Sequence, residues 1–397
     1  MFAGEHTANG RVSCAMACYD VKIWRRPSTR HPPESMLRAG LIGFPSTGKT
    51  ALFQLLTSAR DTPRAGGKSD ANVGVSRVPD DRLDRLTALF NPRKRVPATV
   101  EFADIAGSTG ARTGAQALLD VAPFRTAHAL LHVIRMFRDP AVPHPAGAVD
   151  PARDVRIMED EVILADLGVV ERRLERLERD LKKGISPELR KEQETLLPCR
   201  EALEGGRPLR ALELPPDDAK RLKGFQFLSA KPLLLVLNLD ESDLPSADAA
   251  VRLAGLESFV AGAATRAVPI CAKIELEIAQ LEAADAAAFL ADLGLRDSGL
   301  DRVIRASYDL LGYISFFTVG EDECRAWSIP RDTPAVVAAG EIHSDISRGF
   351  IRAEVVRYEH LITRGSLGAC REHGELRLEG KEYIVLDGDV INFRHAT

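Results

Sequence analysis

The chain has 397 residues, of which 45% are hydrophobic and 28% charged, and its formal net charge is −4. These totals allow two or three domains with real cores and exclude a globally basic nucleic-acid coat, though not a local basic face. No apolar run reaches the roughly 20 residues of a membrane span, and six scattered cysteines without a CxxC pair form neither a disulfide framework nor a zinc site, so a reducing cytoplasm is the expected compartment.

Residues 1–35 lack periodicity and contain no apolar core of signal-peptide length. Either Met36 is the natural start, or these residues are a loosely ordered extension. The run AGLIG near 39–43 is the first clean strand. GFPSTGKT follows, and Gly43, Gly48, Lys49 and Thr50 satisfy G-x-x-x-x-G-K-[ST]. Glycines let such a loop turn its backbone N–H groups, here those of Gly43, Ser46, Thr47, Gly48, Lys49, Thr50 and Ala51, onto phosphate oxygens. Lys49 would reach the β- and γ-phosphates, Thr50 would place a hydroxyl on Mg²⁺, and the helix beginning there adds its positive end. TVEFADI at 99–105 is a second buried strand. It runs into Asp104-Ile105-Ala106-Gly107, where the aspartate would hold Mg²⁺ through water and the glycine N–H would sense a γ-phosphate.

ALLHVIRM at 129–136 and PLLLVLN at 232–238 complete a set of short continuous apolar runs. Such runs suit strands buried on both faces of a parallel sheet, hence a doubly wound α/β domain over 36–310. An insertion over 155–220 interrupts it. Apolar residues at Ile163, Leu167, Val170, Leu174, Leu177 and Leu181 alternate in steps of four and three, Gly184 stops the helix, and Ser186-Pro187-Glu188 starts another, with a kink expected at Pro198. This predicts a projecting helical hairpin; two surface helices are the alternative. After the fourth run comes Asn238-Leu239-Asp240-Glu241. Guanine-specific switches carry Asn-Lys-x-Asp there, and the aspartate accepts from the base. Glu241 is too long for that position and Leu239 is apolar enough to pack on a purine face, which favours adenine over guanine. Ala272, in Cys271-Ala272-Lys273, would add a backbone contact. The segment 311–397 is β-rich and reads as a separate α+β domain.

In this order these residues resemble the YchF / Obg-like ATPase family of translation-factor-class P-loop NTPases, as a divergent member. The most specific stretches are VDPARD, ILADLGVVERRLERLE, AKPLLLVLNLDESDL, FFTVGEDECRAWSIP, AAGEIHSDISRGFIRAEV and LEGKEYIVLDGDVINF. The resemblance covers 36–397. It implies a Ras-like nucleotide domain, a helical arm and a C-terminal TGS domain of β-grasp type. It also implies ATP as substrate, slow Mg²⁺-dependent hydrolysis and ribosome binding. Ser46 stands where the family has an asparagine associated with potassium, which calls a K⁺ requirement into question. The family's switch threonine is missing from RAGGKSDANVGV, where Ser69 is the one candidate to replace it, and Ser108 stands in place of a hydrophobic residue after DIAG. The resemblance also places a catalytic histidine in a flexible loop, at His144, where it would orient water or relay a proton. A solvated loop histidine is the alternative.

The expected activity is a slow ATPase switch whose helical arm and TGS domain move with nucleotide state and are read by ribosomal RNA or protein; no membrane or DNA partner is expected. The arm offers Arg172, Arg173, Arg176, Arg179, Lys182 and Lys183, interleaved with glutamates, and the TGS domain offers Arg348 and Arg352. The rivals are a nucleotide-binding module without turnover and a GTPase of the Obg-related class.

Overall fold

The computed structural model describes residues 38–58, 71–105, 122–184, 186–262 and 264–396. The chain divides at Ser35 into two units, Met1–Ser35 and Met36–Thr397. The extension 1–35 lies outside the described residues, as do Ser69, Gly107 and Ser108.

The larger unit contains two six-stranded sheets. The first is built from β1 (Arg38–Ile42), β2 (Ala71–Arg77), β4 (Thr99–Ile105), β5 (Ala129–Arg135), β6 (Leu233–Asn238) and β7 (Thr265–Ile270), in the order β2-β4-β1-β5-β6-β7. Every pairing is parallel except that of β2 with β4. Each residue of β5 and β6 is buried, as their unalternating apolar sequences require for strands covered on both faces. Helix α1 (Lys49–Ser58) and helix Gly299–Leu310 cover one face, and the first turns of α3 (Pro151–Lys183) cover the other.

Helix α3 begins at Pro151 behind an Asp150 N-cap and ends at Gly184. Ser186 caps α4 (Pro187–Glu204), which runs through Pro198. Ile163, Val170, Leu174 and Leu177 pack on Leu196, Cys199 and Leu203, so the four-three seam faces the second helix. The root of the pair is anchored by Asp166. Its buried carboxylate accepts from the Leu228 and Ser229 amides at 3.1 and 2.7 Å and from Arg125 at 3.0 Å.

The second sheet holds β8 (Tyr313–Thr318), β9 (Glu323–Pro330), β10 (Phe350–Arg357), β11 (Arg377–Glu379) and β12 (Asp389–His395), with helix Ala335–Ile342 packed on one face. Parallel β12 and β8 sit at its centre, the β-grasp arrangement. Its sixth strand comes from elsewhere: β3 (Lys94–Val96) pairs parallel with β9. Helix α2 (Asp81–Phe90) precedes β3, and its Leu83 and Leu86 share one apolar cluster with Leu41 and Leu131 of the first sheet and Phe317, Val356 and Val390 of the second. A C-terminal domain swinging freely against the first sheet does not fit a shared strand and a continuous core. The described residues contain no helix long and apolar enough to cross a membrane.

Candidate functional site

The site lies at the C-terminal ends of β1, β4, β5 and β6, the position at which parallel α/β sheets take ligands. The loop Gly43–Gly48 leaves β1 and enters α1. Gly43 has φ +143°, and a Cβ there would stand 2.5 Å from the Val133 carbonyl; Gly48 has φ +95°, and a Cβ there would collide with the Asn238 amide. Both positions therefore require glycine. Ser46 also sits in the left-handed region, at φ +60°, where a non-glycine residue other than Asn or Asp is uncommon. Thr47 is buried and its hydroxyl donates to the Phe44 carbonyl at 3.0 Å. Thr50 is exposed and Ala51 half-buried in the first turn of α1, which carries no acidic residue, so no carboxylate opposes a polyphosphate there. Lys49 Nζ donates to the carbonyls of Gly43 and Phe44, at 2.8 and 2.5 Å, which holds the ammonium across the mouth of the loop.

Asn238, only 5% exposed, clamps this loop. Its Nδ2 donates to Thr47 O and its Oδ1 accepts from the Ala272 amide, each at 3.0 Å, while its carbonyl accepts from the Met136 and Phe137 amides. One side chain thus joins the phosphate loop, the end of β6 and the loop after β7. The register Gly40↔Ala103 brings the end of β4, with Asp104, to the same edge of the sheet; Asp104 is described through its backbone only.

Two expectations need correction, those for Leu239 and His144, while Glu241 keeps its exposure and has a partner. Leu239 is 3% exposed and belongs to the apolar layer beneath β6, with only an edge lining a cleft formed by Met136, Arg138, Pro151 and Asp243. Its own strand and the chain after it cover the side chain, so it does not present a face to a base. Glu241 is exposed, but its carboxylate is engaged by Lys273 Nζ at 3.0 Å. His144, expected in a flexible loop, is 7% exposed. Its ring stands edge-on to Phe44, with centroids 6.1 Å apart, its Nδ1 accepts from the Ala146 amide, and its Nε2 stands 3.0 Å from Asp154 Oδ2. Arg153 holds Asp154 from the other side at 2.7 Å and also donates to the carbonyls of Ala146 and Ala148. This network ties down the loop after β5. VDPARD carried the signal: an Asp-Pro helix start whose Asp154, one turn on, faces back towards the loop.

His132 lies beside the phosphate loop, next to Gly43. It lies 1% exposed on β5, paired in register with Ile42, and its Nε2 has no partner among the described residues. Burial, and then the charge of Lys49, push its pKa down to about 3, so the ring beneath the phosphate loop is neutral.

The YchF GTPase C-terminal family model (described as a protein of unknown function, DUF933) matches residues 313–396. The ribosome-binding ATPase YchF of Bacillus subtilis is 41% identical over 368 residues, covering 90% of this chain and 99% of that protein. The protein of the same name from Escherichia coli O157:H7 is 38% identical over 369 residues, covering 90% and 98%. The solved Schizosaccharomyces pombe YchF GTPase superposes with a TM-score of 0.79 at 28% identity, over 94% of this chain and all of that one. With relatives this similar along nearly their whole length, the chain belongs to the YchF family.

Proposed function

We propose that this chain is a ribosome-associated, slowly hydrolysing P-loop ATPase acting as a nucleotide switch in the cytoplasm. The observation that carries the reading is the glycine-cornered loop 43–50, pinned by Asn238 to the ends of β6 and β7, in a chain 41% identical to a ribosome-binding ATPase. The loop amides from Gly43 to Ala51 would cradle the phosphates. Lys49 would exchange the carbonyls of Gly43 and Phe44 for β- and γ-phosphate oxygens. Thr50 and Asp104 would hold Mg²⁺, which supplies charge neutralisation on the β- and γ-oxygens when bound. The exposed Thr50 hydroxyl and the absence of an acid in the first turn of α1 fit that role. Asp104 and Gly107 would couple the γ-phosphate to loop order. His144 would reach water only after leaving its pocket against Phe44 and Asp154. The proposed division is a nucleotide domain over 36–310, with a helical insertion over 155–220, and a TGS domain over 311–397.

The base preference rests on Glu241 and on the relatives' names, which are divided between ATPase and GTPase. Since Asn238 is spent on Thr47 and Ala272, adenine selection falls to the backbone around Leu239 and Ala272 and to Glu241 once Lys273 releases it. Hydrolysis of ATP with and without ribosomes, against Lys49→Ala, tests the activity. Equal rates in wild type and variant would leave a binding module without turnover. Competition between ATP and GTP for a labelled nucleotide tests the base, and tighter GTP binding would make the chain a GTPase of the Obg-related class.

A further inference from the structure

Helix α3 starts where Asp150 accepts from the Arg153 amide at 3.0 Å, and Asp154 follows one turn after that cap. The turn brings Asp154 back to the loop 136–150, where the chain reverses tightly. There the Gly147 amide donates to the His144 carbonyl at 2.9 Å, with Gly147 at φ +87°. The side chains of His144 and Asp154 are 1% and 2% exposed. His144 Nδ1 accepts from the Ala146 amide at 3.2 Å, so the proton of the neutral ring resides on Nε2, and Nε2 faces Asp154 Oδ2 at 3.0 Å. Neither atom has a hydrogen-bond partner elsewhere among the described residues. The second oxygen of Asp154, Oδ1, is taken by Arg153 Nε and Nη2 at 3.0 and 2.7 Å. The same guanidinium donates to the carbonyls of Ala146 and Ala148 at 3.2 and 2.8 Å. One carboxylate therefore divides its two oxygens between the ring and the group that fastens the ring's own turn. The opposite wall of the pocket is Phe44 of the phosphate loop, whose carbonyl accepts from Lys49.

In this arrangement both ring nitrogens are committed, Nδ1 to the Ala146 amide and Nε2 to Asp154. The ring then has no lone pair to take a proton from water and no N–H to orient one, which a histidine serving hydrolysis needs.

We propose that Asp154 is a positioning residue that stores His144. It fixes the ring proton on Nε2 and keeps the ring withdrawn from solvent, so that ATP turnover waits on release of the ring from between Asp154 and Phe44. The inference deepens the proposed hydrolysis and rests on it, and it gives the slow turnover a local cause: only the fraction of molecules with the ring released is competent. Asp154→Asn separates the two duties of the carboxylate. An amide has one acceptor oxygen, which the two donors of Arg153 claim, and its NH₂ then faces Nε2–H, donor against donor. Size is kept and storage fails.

The test carbethoxylates the full chain with diethyl pyrocarbonate and follows His144 by peptide mass spectrometry, with the exposed His360 as internal reference. In wild type, His144 should react far more slowly than His360. In Asp154→Asn its reactivity should rise about tenfold relative to His360, with ADP affinity unchanged. The kcat for ATP should rise about 3- to 10-fold at unchanged KM, and the gain should vanish when His144→Ala is added. Arg153→Gln loosens the same pocket from its partly exposed side and should act in the same direction, which decides the matter if Asp154→Asn folds poorly. An Asp154 that only supports the fold would lower the thermal midpoint and leave kcat where it is. Three results would overturn the inference: a wild-type His144 as reactive as His360, reactivity unchanged in both variants, or raised reactivity with an unchanged or lower kcat in a chain that hydrolyses ATP. If Lys49→Ala shows that wild type does not hydrolyse ATP, the ATPase reading falls, and the labelling alone still decides whether Asp154 stores the ring.

Discussion

Asn238 offers the sharpest test of the site because its two hydrogen bonds can be separated chemically. The side chain is buried, donates to Thr47 O and accepts from Ala272 N, so both partners lose their bond when it is cut to alanine. A buried group left unsatisfied costs about 1–3 kcal/mol, giving Asn238→Ala an expected loss of about 2–4 kcal/mol in stability. The half acting on Thr47 falls on the phosphate loop and should weaken ADP–Mg²⁺ binding by about 5- to 100-fold. Asn238→Asp keeps an acceptor for Ala272 but places a carboxylate oxygen against the Thr47 carbonyl. Its nucleotide affinity should fall at least as far as that of the alanine variant at pH 7.5. It should partly recover as the pH is lowered and the protonated acid regains a donor. Titration calorimetry with ADP–Mg²⁺ at several pH values, beside urea unfolding, reads both effects. If Asn238→Asp binds ADP within twofold of wild type at pH 7.5, the clamp does not order the phosphate loop.

Three further outcomes follow from the geometry. His132 is held neutral, with its folded pKa near 3 and its unfolded value at 6.5, so between those values the unfolded chain binds the additional proton and stability is lost as pH falls; relative to His132→Phe, wild type should lose about 1 kcal/mol from pH 7.5 to 5.5, and parallel urea-derived stabilities would contradict this. Ser46→Asn puts a residue that tolerates φ +60° where serine now sits, so the thermal midpoint should not fall, and hydrolysis should become faster in KCl than in NaCl if the resemblance carries the potassium site. Arg82 Nη1 meets Asp387 Oδ2 at 2.6 Å, and Asp387 also accepts from the Ser315 amide at 2.9 Å; the pair is partly exposed, so Asp387→Ala should cost about 1–2 kcal/mol, with a coupling to Arg82→Ala of at least about 0.5 kcal/mol in a double-mutant cycle, and strict additivity would show that the two do not act together.

The sequence exposed what periodicity and backbone chemistry dictate. Continuous apolar runs marked β1, β4, β5 and β6, and Ser186-Pro187 marked the start of α4. The corners at Gly43 and Gly48 were legible because the conformation there excludes a Cβ. It did not expose partnerships set by tertiary position. KRV at 94–96 is too short and too polar to announce a strand, and its pairing with β9 depends on residues more than two hundred positions away. The burial of His144 depends on Asp154 and Arg153 folding back from α3, and that of Leu239 on the chain after β6 covering it. Arg394 is an ordinary surface arginine in the sequence, and it forms a like-charge pair with Arg352 only through the register of β10 and β12.

The placement of β3 bears directly on how a switch of this kind would signal. Strand β2 follows segment 59–70, and β4 ends at Ile105, one residue past Asp104, so these strands border both stretches in which a nucleotide-sensing loop is expected. Between them the chain leaves the first sheet, forms α2, adds β3 to the second sheet and returns, and a Val78–Ala98 backbone hydrogen bond of 2.8 Å closes the excursion at its base. The tip is held by β9 along β3, by the Arg82–Asp387 bridge and by Arg82 lying over the Phe317 ring. Moving the C-terminal sheet away would break strand pairing and open an apolar cluster common to both sheets. A shift of β2 or β4 would instead be transmitted through backbone that the two sheets share. The helical pair receives no such strand; it is rooted through Asp166 and the first turns of α3, beside β5 and the approach to β6. Two outputs of one site would thus leave by different routes, so a variant that cuts the Arg82–Asp387 bridge should disturb the sheet output while leaving the arm's packing intact.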